Sequence, residues 1–148
     1  MKNKKILGFI TIIIVLIGFV YYLNFRTQKV VYVCDFTDRF DEFQEATIEV
    51  ELEYQKDNLI AENSVQKYWF HEFTSSYSKE YYSRRFSEYH ADGYDIDVNV
   101  DDDLIEITTN IKYNELNTSD LKIFENDAGK ILLSDSIDQL EANNCIKK

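Results

Sequence analysis

Residues 46–54 alternate without a fault: Ile48, Val50, Leu52 and Tyr54 on one side, Thr47, Glu49, Glu51 and Glu53 on the other. A period of two fits a strand and no helix. Charge at every second position leaves one face wet, which is the signature of an antiparallel sheet covered on one side. The pattern recurs at 94–100, where Tyr94, Ile96, Val98 and Val100 alternate with Asp95, Asp97 and Asn99. Residues 30–36, rich in β-branched and aromatic side chains, read as a first strand. Turn residues Gln55-Lys56-Asp57-Asn58 lead into a strand over 59–67, and Asp101-Asp102-Asp103 turns the chain into another over 104–113.

Between these strands the period changes. Phe70, Phe73, Tyr77, Tyr81, Phe86 and Tyr89 fall near three-and-four spacing, so 68–89 is expected to form one long helix with an aromatic face on the sheet. Asp92-Gly93 would end it. A short helix is expected at 118–124, and another over 134–142 with Ser134 as its N-cap and Ile137 and Leu140 on one face. The expected fold class is α+β: an antiparallel β-sheet, meander plus hairpin, with one long and one or two short helices packed on it, preceded by a single transmembrane helix.

That last element comes from the amino terminus. Residues 6–23 carry no charge and follow Lys2, Lys4 and Lys5. Their helical length, roughly 27 Å, approaches the ~30 Å hydrocarbon core of a bilayer. No pair of small residues follows for a signal peptidase, and no lipobox precedes Cys34. The expectation is a retained anchor, with 1–5 as a cytoplasmic basic stub, 6–23 as the span, 24–29 as a linker and 30–148 as one extracytoplasmic domain. The expected location is therefore the cell membrane, single-pass, with the N-terminus cytoplasmic.

Charge narrows the partners. Every acidic residue lies from Asp35 onward, so residues 27–148 hold 12 basic against 27 acidic side chains, a net of −15. Such a surface repels nucleic acid. With 15% aromatic residues the chain has too much apolar bulk for a disordered acidic tail. Cys34 and Cys145 stand near the two ends of the domain with no third cysteine. In an exported domain that suggests a disulfide, worth at most ~4–5 kcal/mol by chain entropy; two unpaired buried thiols are the alternative.

The chemistry-bearing motifs are few. Asp95, Asp97, Asn99, Asp101, Asp103 and Glu106 match the ligand spacing of an EF-hand loop. Val100 stands where that loop needs glycine and Asp102 where it needs an apolar residue, and the same stretch makes a strict strand and turn. Asp101, Asp102 and Asp103 remain as a weak cation site at the hairpin tip. His71 and His90, nineteen residues apart on the expected helix, would stand nearly 30 Å from each other and share nothing. No G-x-S-x-G elbow exists, and the carboxylates are too many for a catalytic pair to be singled out. No cofactor and no enzymatic activity is expected.

The order of elements nevertheless resembles a known family. Val33-Cys34 closes the first strand; Tyr54-Gln55-Lys56-Asp57-Asn58, Gly93-Tyr94-Asp95-Ile96-Asp97-Val98 and Ile111-Lys112-Tyr113 follow; Ile131-Leu132-Leu133-Ser134, Leu140-Glu141 and Cys145 finish the chain. Residues 30–147 in this respect resemble the YehR-like bacterial lipoproteins, a small extracytoplasmic domain of unknown function, with an anchor in place of the lipobox. The resemblance implies an antiparallel sheet with packed helices and supports pairing of Cys34 with Cys145. It brings no catalytic residues. The expected function is a non-catalytic envelope binding module, tethered to the membrane and facing an envelope protein or cell-wall partner. The alternative is a cation- or metabolite-sensing accessory subunit using the Asp101–Asp103 tip.

Overall fold

The computed structural model describes the backbone of residues 2–39, 43–71, 80, 84, 90–101 and 103–148, with side chains for these except 2–11, Asn24 and His90. Helix α1 (Lys2–Phe25) leads into β1 (Gln28–Asp35), a 3-10 turn (Thr37–Arg39), β2 (Phe43–Gln55) and β3 (Asn58–Phe70). After β4 (His90–Ala91), β5 (Tyr94–Val100) and β6 (Leu104–Lys112) come α2 (Thr118–Phe124), α3 (Leu133–Ala142) and β7 (Ile146–Lys147). The strands form one sheet in the order β4-β5-β6-β3-β2-β1-β7, antiparallel at every pairing.

Registration follows the alternation. Val30 faces Leu52 and Tyr32 faces Val50 on the inner side; Lys29 faces Glu53 and Val33 faces Glu49 on the outer side. A two-residue turn, Lys56-Asp57, joins β2 to β3, with Lys56 at a φ of 57°. On the inner face, Val30, Tyr32, Val50, Leu52, Ile111 and Tyr113 pack beneath Leu121 and Phe124 of α2 and Leu133, Ile137 and Leu140 of α3. A second cluster gathers Phe43, Ala46, Phe70, Ile96, Ile105 and Ile107. Leu52 is 0% exposed and Ile105 and Ile107 1%, so the inner face is where apolar area leaves water.

The expected architecture is corrected at its amino-terminal end. Residues 2–25 do form a helix, with Lys2, Lys4 and Lys5 in its first turn. Among the described residues no helix is long and apolar enough to cross a membrane. The transmembrane helix, and with it the single-pass placement at the cell membrane, is therefore withdrawn.

The long helix expected over 68–89 is corrected at its start. Tyr68, Trp69 and Phe70 belong to β3, where Tyr68 pairs with Ala46 and Ile105 and Phe70 with Phe43. Tyr68 and Phe70 satisfy a period of two as well as the start of a helical one, and cross-strand packing on Phe43, with ring centroids at 5.0 and 4.9 Å, decides between them. Glu80 and Arg84 are helical and ion-paired at 2.6 Å; Phe73, Tyr77, Tyr81, Phe86 and Tyr89 lie outside the described residues. His90 is in a strand. Asp92-Gly93 caps no helix but makes the two-residue turn between β4 and β5, the use for which Asp-Gly is best suited.

Ser134 is not the N-cap of α3. The cap position is Leu132, which has no side chain to offer, and the capping group arrives from the β2–β3 turn. Asp57 Oδ1 accepts from the Ser134 amide and Oδ2 from the Ser134 hydroxyl, both at 3.0 Å, and the Asp57 carbonyl accepts from the Leu133 amide at 2.8 Å. By contrast, α2 is capped from within, since Asn117 Oδ1 accepts from the amides of Ser119 and Asp120.

Candidate functional site

The two faces of the sheet differ in what covers them. No described residue of β1–β6 pointing outward is buried. Registration lays the outward side chains in rows across the strands. One row runs Asp95, Asn110, Asn63, Glu51; the next runs Asp97, Thr108, Val65, Glu49, Val33; a third runs Asn99, Glu106, Lys67, Thr47. The face is polar and acid-rich, with half-exposed Val33, Val65 and Trp69 between the charges.

Part of this charge is paired. Lys29 Nζ lies 2.7 Å from Glu51 and 2.6 Å from Glu53, Lys67 pairs with Glu106 at 2.9 Å, and Lys148 pairs with Glu49 at 2.8 Å. The hydrogen bonds to Glu51 and then Glu53 hold the Lys29 ammonium far above the ordinary lysine range. All these pairs are open to water, so solvent and salt screen most of their attraction. They are exchangeable partners rather than structural struts.

An open groove of about 740 Å³ crosses this face, lined by Glu51, Glu53, Asn63, Asp95, Asn110 and Lys112 among others. One end is closed by the β4–β5 turn, which packs against the chain leaving β6. Gly93 there has a φ of 77°, its carbonyl accepts from the Lys112 amide at 2.8 Å, and a Cβ would lie 2.8 Å from Lys112 O, Glu115 C and Leu116 N. Only glycine fits.

The residues singled out from the sequence are placed as follows. Asp95, Asp97 and Asn99 line the outer side of β5, opposite Asn110, Thr108 and Glu106. Four residues of strand spread them over roughly 13 Å, too far to wrap one ion. At the hairpin the Asp101 amide donates to the Leu104 carbonyl and the Phe70 amide to the Asp103 carbonyl, both at 2.8 Å. Asp102 lies outside the described residues. Among the described residues no group of three His, Cys, Asp or Glu side chains could hold a metal. His71 follows the end of β3, whereas His90 pairs with Asp95 at the other end of the sheet. Cys34 and Cys145 form a disulfide across a separation of 111 residues, its ends 2% and 7% exposed.

One arrangement escaped the sequence reading. β3 is the central strand, yet its inward side chains include Glu62, Ser64 and Gln66. Glu62 Oε2 accepts from the Tyr113 hydroxyl at 3.1 Å, and Gln66 Oε1 from the Tyr68 hydroxyl at 2.8 Å. Burial raises the Glu62 carboxyl above its ordinary range, and the Tyr113 hydrogen bond partly offsets this. Burial, followed by the charge of Glu62, pushes the Tyr113 phenol up as well. The available signal was the loss of clean alternation over 59–67, where polar residues fall on both faces of a strand too long to be an edge ornament.

No family model matches the chain, and no curated protein or solved structure matches it either.

Proposed function

We propose that the protein is a non-catalytic binding module that presents the outer face of its sheet to a basic, extended polypeptide segment. The observation that carries this reading is the outer face itself, on which no described side chain of β1–β6 is buried. Glu45, Glu49, Glu51, Glu53, Asp95, Asp97 and Glu106 point outward there against Lys29, Lys67 and Lys112, with Lys148 on Glu49. A lysine- or arginine-rich segment complements it twice, laying aliphatic stems on Val33, Val65 and Trp69 and charged heads on the flanking carboxylates. The groove gives such a segment a defined track. Kinship with the YehR-like domains rests on element order alone and belongs to the same proposal.

The test is binding of a fluorescent decalysine to the full chain, followed by anisotropy at two salt concentrations. Glu51→Lys with Asp97→Lys should weaken binding about tenfold or more, while Asp127→Lys with Asp138→Lys, the same charge change away from this face, should leave it within about twofold. Equal losses from the two pairs would reduce the interaction to net charge and refute the docking face.

A further inference from the structure

The strongest unassigned feature is a cleft of about 390 Å³ beside α2 and α3, which shares Glu62 and Ile111 with the lining of the acidic groove. Its lining includes Glu62 from β3, Tyr113 just past β6, Phe124 and Glu125 from the end of α2, and Asp135 and Gln139 from α3. Among the described residues three carboxylates thus line it, and no lysine, arginine or histidine does. The Tyr113 and Phe124 rings meet edge to face with centroids 5.4 Å apart. Ile123, also in the lining, is 76% exposed, an apolar side chain left in water beside the acidic groups.

We propose that this cleft binds a small aliphatic ammonium compound. The carboxylates supply charge-assisted acceptors, the aromatic pair offers a surface for a desolvated cation, and Ile123 covers an aliphatic body. Asp135 is held in place for this, because its Oδ2 accepts from Asn126 Nδ2 at 2.8 Å. The Tyr113 hydroxyl fixes one oxygen of Glu62. Burial makes the Glu62 charge costly when the cleft holds no cation, and an ammonium beside it removes that cost. An anionic or neutral ligand gains nothing from this lining.

The probe is the linear diamine cadaverine, titrated into the full chain and followed by amide NMR, with pentanediol as its uncharged counterpart. Saturable shifts around Glu62, Tyr113 and Asp135 with cadaverine and none with pentanediol are expected. Asp135→Asn and Glu125→Gln should each weaken binding about tenfold, while Asp38→Asn in the 3-10 turn, outside the cleft lining, leaves it unchanged. Thermal melts of the variants establish that they are folded. Non-saturating shifts spread over carboxylates on both faces, equal binding of pentanediol, or full affinity in both cleft variants would overturn the proposal.

Discussion

Adjacent residues of β2 lead opposite lives. Leu52 is fully buried on the inner face, between Val30 and the central strand, while Glu51 beside it faces water and shares Lys29 with Glu53. The inner face carries the stability: two apolar clusters, the disulfide and the helices packed over it. The outer face carries charge that contributes little to folding, because exposed ion pairs offset most of their Coulomb gain in ordering and screening. A surface that the fold does not need is a surface that can be given to a partner. The split teaches where to look for function, and it is open to direct attack.

The largest effect is expected from the disulfide, which fastens the inner face of β1 to the chain's end. Cys34→Ala with Cys145→Ala should lower the unfolding free energy by about 2–5 kcal/mol in urea melts. Next comes Leu52→Ala, expected to cost about 2–5 kcal/mol as a core truncation, while Glu51→Ala next to it should stay within about 0.5 kcal/mol. Comparable losses at the two positions would break the division between faces. Asp57→Ala should cost about 1 kcal/mol, because it strips α3 of a cap that only the β2–β3 turn provides. Asp57→Asn, which keeps an acceptor, should recover part of that loss in the same melts.

The smallest effect sharpens the comparison at its one exception, the carboxylate on the wrong face. The Glu62 carboxyl is raised in the folded chain, so it keeps its proton where the unfolded chain has lost it. Stability therefore falls as pH rises from the ordinary carboxylate range through the raised value, and the deficit persists above it. Glu62→Gln keeps an acceptor for Tyr113 and should flatten this part of the stability–pH curve. An unchanged slope would contradict the raised Glu62 carboxyl.

How legible was this in the sequence? Where one face is wet and the other dry, the alternation is complete, and residues 46–54 and 94–100 read directly as strands. The 118–124 helix is local and equally plain, although its Asn117 cap was not singled out. What stayed hidden was set by distant partners. Tyr68 and Phe70 join β3 because Phe43, remote in sequence, meets them. The α3 cap comes from 77 residues away, and Asp92-Gly93 is a turn because β4 follows where a helix end was expected. The groove is invisible for the same reason, since its rows exist only once β5, β6, β3 and β2 are in register. Of the described residues singled out from the sequence, Asp95 alone falls in the groove lining.

The most direct measurement maps decalysine onto the full chain by amide chemical-shift perturbation. The account predicts perturbed amides in β2, β3, β5 and β6 centred on Glu51, Asn63, Asp97 and Asn110, with α2 and α3 silent. Perturbations concentrated on α2 and α3, or spread evenly over every acidic segment, would contradict the claim that the outer sheet face is the binding surface.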